Sequence, residues 1–184
     1  MPGSYEEKFA GVRSFLGYMM SHPGKKLLFM GQEFGQFIEW DEKRELDWFL
    51  LEYDSHRNLQ ALSKELNRIY KTYPACWEND ENWEGFNWAN CNEAGKNALA
   101  FRRIAKDGSQ LLFTFNFCPN EYKGFHVEVP EDSKWEEILS TDEERFGGSG
   151  FYKNGIRESW HEGYSSFAAV DLAPFSAAVF KLVE

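Results

Sequence analysis

The 184-residue sequence has no apolar run approaching the ~20 residues of a membrane-spanning helix. Its first residues, MPGSYEEK, lack the basic region and apolar core of a secretory signal. Positive charge is also in deficit, since the formal net charge is −10. A chain this acidic repels phosphate backbones and anionic lipid surfaces, so we expect neither nucleic acid nor a membrane as a partner.

Cysteine is scarce, with Cys76, Cys91 and Cys118 widely spaced and no CxxC motif. An odd number at this spacing fits free thiols in a reducing cytosol better than a disulfide framework, so we expect a cytoplasmic protein. The four histidines are scattered without zinc spacing. The glycine-rich stretch 147–150 lacks the following Lys-Ser/Thr of a phosphate loop. We therefore expect no metal and no cofactor.

Aromatic residues are abundant, at 17 % of the chain with seven tryptophans. Aromatic rings fill cores and also stack on sugar rings, so this excess permits a carbohydrate partner without requiring one. We expect most of the tryptophans to lie in the core or at an interface.

The N-terminal third has a helical pattern followed by an apolar run. Ser4 and Glu7 match a capping box, which predicts a helix over roughly 4–21 that ends at His22-Pro23-Gly24. Residues 26–30 then predict a short strand buried on both faces, as in a parallel sheet. The polar segment 31–35 follows this predicted strand and has a glycine at each end. It is either part of a functional site or a capped turn after a buried strand.

Residues 31–54 form a long connection rich in Phe and Trp, in which we predict a helical turn near 47–51 that begins at Asp47. Asp54 or Ser55 is predicted to cap a second helix, which Pro74 ends. Its predicted apolar stripe consists of Leu59, Leu62, Leu66, Ile69, Tyr70 and Tyr73.

Beyond Pro74 the pattern changes to alternation with frequent turn signals. Residues 97–105 and 110–117 predict a hairpin around Lys106–Ser109. Further strands are predicted at 84–89, 123–129, 135–140, 164–170 and 174–183. Short antiparallel strands of this kind indicate a β-sandwich.

Several motifs occur in a fixed order along the chain. They are Met1-Pro2-Gly3, Lys8-Phe9-Ala10, HPGKKLLFMGQEFGQ at 22–36, Glu39-Trp40, Leu46-Asp47-Trp48, LNRIY at 66–70, GFNW at 85–88, FNF at 115–117, EILSTD at 137–142 and FGGSG at 146–150. Together they resemble the C-terminal part of 1,4-α-glucan (glycogen) branching enzymes of the α-amylase superfamily, glycoside hydrolase family 13.

The resemblance implies an α+β fragment. Residues 1–74 would be the last helix–strand–helix portion of a catalytic (β/α)8 barrel, and residues 75–184 an all-β antiparallel C-terminal sandwich. It also implies a retaining transfer of α-1,4-glucan chains to form α-1,6 branches in glycogen biosynthesis. The catalytic carboxylates of the family lie upstream of the matched region, so the resemblance assigns no catalytic residue here and predicts that this chain alone is inactive.

By matching position, the resemblance places Gln32, Glu33, Phe34, Trp40 and Trp48 near the barrel mouth as substrate-binding candidates. Trp40 would stack on a glucose ring. Glu33 would orient the wall of the substrate site or accept hydrogen bonds from sugar hydroxyls. Alternatively, the two tryptophans pack the loop onto the barrel and Glu33 braces a backbone amide.

Three functions remain open at this point: the C-terminal segment of a branching enzyme, an α-glucan-binding sandwich module, or a structural cover for the barrel. The implied partners are α-glucan (glycogen, amylose), reached through the parent enzyme, and the missing N-terminal barrel portion. Since the predicted strand 26–30 has lost its barrel neighbours, we expect the isolated chain to self-associate through residues 4–40 or to leave them poorly ordered.

Overall fold

The computed structural model describes residues 3–183, so Met1, Pro2 and Glu184 lie outside the described residues. Its helices are α1 (Tyr5–Ser21) and α2 (Asp54–Thr72). Its strands are β1 (Phe86–Asn90), β2 (Ala98–Ile104), β3 (Gln110–Asn116), β4 (Tyr122–Val129), β5 (Lys134–Ser140), β6 (Ile156–Glu158), β7 (Trp160–Glu162), β8 (Ser165–Leu172) and β9 (Ser176–Val183). No helix within residues 3–183 is long and apolar enough to cross a membrane.

Helix α1 confirms the predicted capping box. The hydroxyl of Ser4 accepts a hydrogen bond from the Glu7 N–H at 3.2 Å, and the Glu7 carboxylate accepts one from the Ser4 N–H at 2.6 Å. At the other end, the His22 N–H donates to the Tyr18 carbonyl. Pro23 follows at once and cannot continue the helix.

The predicted strand at 26–30 is wrong. These residues follow α1 as irregular chain without strand pairing, and Leu27 is 74 % exposed while Phe29 and Met30 are about half exposed. A strand is stabilised by backbone bonds to neighbours, and the described part of the chain places none beside this segment. An apolar run alone therefore does not make a strand here.

The N-caps of the 3₁₀ turn before α2 and of α2 itself differ from the prediction. Asp47 precedes a 3₁₀ turn at Trp48–Glu52, as expected, but its side chain makes no capping bond; instead its N–H donates to the Gln36 side chain at 2.8 Å. The predicted cap at Asp54 or Ser55 is also wrong, since Tyr53 is the N-cap. The negative charge of Asp54 lies instead in the first turn, where the helix dipole favours it.

The predicted apolar stripe of α2 is confirmed for its central members, which are buried: Leu59, Leu62, Leu66 and Ile69.

The predicted sandwich is confirmed as two antiparallel sheets, with strand orders β1-β2-β3-β9-β5-β6 and β4-β8-β7. The predicted hairpin is β2–β3, and Gly108 at its turn has a φ of 85° that favours glycine. The other predicted strands appear within two residues of their predicted starts. Sequence analysis missed β6 and β7, three residues each, which lie in different sheets and are separated only by Ser159.

Two cores hold three layers together. Helix α1 packs on the outer face of the six-stranded sheet and α2 packs against α1. Leu111, Phe113 and Phe115 of β3 belong to the core between this sheet and the helices. The second core lies between the two sheets and includes Leu112 from the opposite face of β3. Trp135 is fully buried in this second core, and its indole N–H donates to the Ser133 hydroxyl at 2.9 Å.

The end of α1 is joined to the sheet by a buried arginine on β2. Arg103 donates to the Ser21 carbonyl at 2.8 Å and to the Gly85 carbonyl at 3.3 Å, and it forms an ion pair with Asp80. Sequence periodicity gives no sign of this role, because the partners are 18 to 82 residues away.

Candidate functional site

The loop that carries the predicted site residues starts with a tight turn. Gln32–Phe34 form one 3₁₀ turn between Gly31 and Gly35, whose φ values are 87° and 72°. Both values lie in the left-handed region that glycine adopts most easily. A Cβ on Gly35 would also lie 2.9 Å from the Leu59 side chain, so the turn is pressed against α2.

Phe34 anchors this turn and does not reach the surface. Its side chain is fully buried, and its ring centre lies 5.2 Å from that of Trp48. Its carbonyl oxygen lies 2.7 Å from Nδ1 of the buried His56 on α2. Because a carbonyl can only accept, the proton must be on Nδ1. Phe34 therefore contributes by packing.

Gln32 is held in place by its side chain, and Glu33 by its backbone carbonyl. The Gln32 side-chain oxygen accepts from the Phe29 N–H at 2.9 Å, which is the bracing role considered above for Glu33. Glu33 is held by its carbonyl, which accepts from the Ser63 hydroxyl at 2.9 Å. Glu33 also lines an open groove between the loop and α2.

Trp40 and Trp48 are both partly exposed, at 38 % and 47 %. Trp40 packs edge-on against Phe29 with ring centres 5.5 Å apart. Each indole therefore combines the packing role with a free surface, so the structure leaves both predicted roles open.

The groove beside Glu33 has a volume of about 770 Å³. Its apolar part comes from Leu28, Met30 and Leu46, and its basic side chains are Lys64, Arg68 and Lys71 of α2. It is therefore a basic-rimmed apolar groove on a chain that is acidic overall.

Lys26 connects the segment after α1 to both helices. Its amine donates to the His22 carbonyl at the end of α1 and lies 5.3 Å from the ring centre of Tyr70 on α2. Desolvation, followed by repulsion from Arg103, lowers the pKa of Lys26 to about 8.

No group of three or more potential metal ligands occurs within residues 3–183.

A second concave surface, which the sequence did not reveal as a site, lies at the start of β1. Its volume is about 420 Å³, and its aromatic lining consists of Phe86, Trp88 and Trp83. Trp83 is 84 % exposed, so it is not part of the core. Asp80 also lines it; one carboxylate oxygen pairs with Arg103, and the other is buried without a hydrogen-bond partner in the described chain.

Comparison with known sequences places this fold in a known family. Residues 88–183 match the family described as "Alpha amylase, C-terminal all-beta domain". The chain is 42 % identical to the 1,4-alpha-glucan branching enzyme GlgB of Halothermothrix orenii over 98 % of its length, and 43 % identical to that of Aquifex aeolicus over the same share. It spans only 29 % of the length of each of these relatives.

Solved structures show the same fold at much lower identity. A debranching enzyme from Nostoc punctiforme matches 94 % of this chain and 31 % of its own, with a TM-score of 0.64 at 15 % identity. The catalytic module of the glycogen-degrading pneumococcal virulence factor SpuA matches 98 % of this chain and 32 % of its own, with a TM-score of 0.67 at 10 % identity.

Proposed function

The chain belongs to the family of α-amylase C-terminal all-β domains, and we propose that it is the C-terminal part of a 1,4-α-glucan branching enzyme. The observation that carries this proposal is the 42–43 % identity to branching enzymes across 98 % of the chain, helices and connecting loop included. The parent would transfer α-1,4-glucan chains to 6-hydroxyls in glycogen biosynthesis.

In this proposal the chain supplies structure, and other parts of the parent supply the chemistry. A retaining transfer needs two carboxyl groups roughly 5 Å apart on either side of the scissile bond. We assign neither of them to this chain, and we therefore propose that the isolated chain is inactive on glucan.

We further propose that residues 1–74 are the end of the catalytic barrel and residues 75–184 its C-terminal sandwich. The exposed apolar side chains between 27 and 49 favour this, because they form a surface suited to burial against more protein: Leu27, Phe29, Met30, Phe37, Ile38, Trp40, Trp48 and Phe49. The partner would be the remaining, N-terminal portion of the barrel.

The same surface leads us to propose that the chain self-associates when it is alone. Eight half-exposed large side chains amount to an area on the order of 800 Å² per copy, which is what a standard interface buries on each side. Light scattering is expected to show a species larger than a monomer, and Leu27→Glu is expected to reduce its population. A monomer at all concentrations would contradict this proposal.

Within the parent, Gln32, Glu33, Trp40 and Trp48 would form part of the substrate wall, with Phe34 as the buried anchor beneath them. The position of Glu33 in the open groove and the exposed surfaces of Trp40 and Trp48 favour this role. A cytoplasmic location is also part of the proposal, since Cys76, Cys91 and Cys118 are all free thiols.

An iodine-stain assay on amylose tests the function directly. The chain alone is expected to leave the stain unchanged, whereas the protein encoded by the same gene extended upstream is expected to reduce it. Loss of stain with the chain alone would overturn the inactive-segment proposal. An extended, folded protein that leaves the stain intact would overturn the branching activity itself.

A second candidate function, non-catalytic α-glucan binding by the sandwich, is favoured by the concave surface at Trp83. Exposed tryptophans suit a sugar, because the apolar face of a sugar ring stacks on aromatic side chains. Calorimetry with maltoheptaose tests it, with Trp83→Ala and Trp88→Ala as variants. Phe151→Ala, another highly exposed aromatic position, is the matched control. Binding that Trp83→Ala and Trp88→Ala leave intact would contradict this assignment.

A further inference from the structure

A buried histidine in the first turn of α2 lies where α1, α2 and the loop with the predicted site residues meet. His56 is only 1 % exposed. Its ring packs edge-on against that of Phe9 on α1 and that of Phe37 on the loop, with ring centres 5.0 Å apart in each pair. An apolar side chain could fill this space equally well, so packing does not explain the two polar ring nitrogens.

Both ring nitrogens have partners, and these partners lie on different elements. Nδ1 donates to the Phe34 carbonyl of the loop at 2.7 Å, so Nε2 of the neutral imidazole is an acceptor. The hydroxyl of Tyr5, at the start of α1, lies 3.4 Å from Nε2 and 3.0 Å from the Ser55 hydroxyl. Tyr5 therefore donates to His56, and Ser55 donates to Tyr5. The histidine thus connects the start of α1 to the loop.

Helix α2 holds two consecutive carbonyl groups of this loop. Ser63 donates to the Glu33 carbonyl at 2.9 Å, and His56 donates to the Phe34 carbonyl. The two donors are seven residues apart, or about two helical turns, and therefore lie on the same face of α2. The peptide planes on both sides of Phe34 are held by these bonds. The direction in which the Glu33 side chain leaves the backbone is therefore set by α2.

We propose that His56 is a positioning residue of the substrate wall and acts through the Phe34 carbonyl. This role rests on the proposed function, because it requires the loop to form part of the glucan-binding wall of the parent enzyme. His56 itself touches no substrate; it orients Gln32 and Glu33 relative to α2. Its loss weakens the binding of substrate and transition state alike, which raises KM and leaves kcat unchanged.

Kinetics on amylose, with the protein encoded by the gene extended upstream, tests this role. His56→Ala should raise KM about fivefold, as expected for one lost hydrogen bond, and change kcat by less than about twofold. His56→Asn should restore most of the natural KM, because its amide N–H can take the place of the Nδ1–H. His56→Gln should not, since its longer side chain places the amide nearer the position of Nε2. His161→Ala, at an exposed histidine of the sandwich, is the control and should leave KM unchanged.

The hydrogen bond itself is tested on the intact chain without any activity. Long-range ¹H–¹⁵N NMR should find His56 in the Nδ1–H tautomer, and Tyr5→Phe should shift the Nε2 signal while the tautomer stays the same. The Nε2–H tautomer would overturn the assignment. If His56→Ala does not fold, the comparison of His56→Asn with His56→Gln decides the question.

The kinetic outcomes separate this role from the branching activity. Equal KM values for the natural protein and His56→Ala would overturn the role of His56 and leave the branching activity in place. Equal rescue by His56→Asn and His56→Gln would also overturn it, because the bond to Phe34 would then not be the cause. A folded, extended natural protein that forms no α-1,6 linkages would instead contradict the proposed function.

Discussion

Arg103 on β2 donates a hydrogen bond to the carbonyl oxygen of Ser21, 82 residues away at the end of α1, over 2.8 Å. The same guanidinium pairs with Asp80, and both side chains are at least nine-tenths buried. One residue thus links the helical layer, the sheet and the segment that carries the concave surface at Trp83. These bonds hold the helical layer in a fixed position on the six-stranded sheet.

Removal of either partner of this buried pair should be strongly destabilising. Arg103→Met leaves the Asp80 carboxylate without its cation, and we expect a loss of about 3 kcal/mol in the free energy of unfolding, measured by urea denaturation. Arg68→Ala breaks the exposed pair with Glu65 and is the control, with an expected loss below about 1 kcal/mol. Equal losses for the two variants would contradict the central role of Arg103.

Gly35→Ala should destabilise the loop turn. The residue has a φ of 72° and a Cβ there would lie 2.9 Å from Leu59, so we expect a cost of about 1–2 kcal/mol in urea denaturation. Gly95→Ala is the matched control, because a Cβ at Gly95 meets nothing within 4 Å and its φ is not in the left-handed region. A neutral Gly35→Ala variant would show that the turn relaxes freely.

His56→Ala should loosen the site loop without unfolding the sandwich. The imidazole holds the Phe34 carbonyl at 2.7 Å, and a buried carbonyl left without its donor costs about 1–3 kcal/mol. Hydrogen exchange should become faster in residues 31–37, while β2 and β3 keep their protection. Unchanged exchange in the loop would show that Phe34 packing alone fixes it.

The pKa of Lys26 predicts a specific pH dependence. Its pKa is about 8 in the folded chain against 10.5 when unperturbed, so between these values the unfolded state binds more protons. Stability from this group therefore rises with pH from about 8 to about 10.5 and is lowest below pH 8, where the folded state carries a partly desolvated ammonium.

Lys26→Met should remove this rise. The difference in urea midpoint between the natural chain and the variant, measured at pH 7 and pH 10, isolates Lys26 from the other groups that titrate there. A difference that does not change between the two pH values would contradict the lowered pKa.

Local signals in the sequence predicted the elements that depend on local physics. The capping box at Ser4 and Glu7 and the β2–β3 hairpin are both confirmed. The segment 26–30 was predicted wrongly because strand formation depends on a neighbour, which its own apolar residues do not supply. The short strands β6 and β7 were missed because three residues are too few for a period to show.

The site was predictable only in part. The glycines at 31 and 35 marked a turn, yet the sequence could not separate the buried Phe34 from the exposed Trp40 and Trp48. The concave surface at Trp83 depends on the ion pair of Asp80 with Arg103, which joins residues 23 positions apart. Contacts of this kind follow from the completed fold, and no local pattern encodes them.

The most direct test of the central claim is to co-express this chain with the upstream portion of its gene as a separate polypeptide. The purified pair is then supplied with amylose, and α-1,6 linkages are followed by the anomeric proton signal in NMR. We predict that the two polypeptides co-purify and form branches together, while this chain alone forms none. Branches formed by this chain alone would contradict the account, and so would a co-purified pair that forms none.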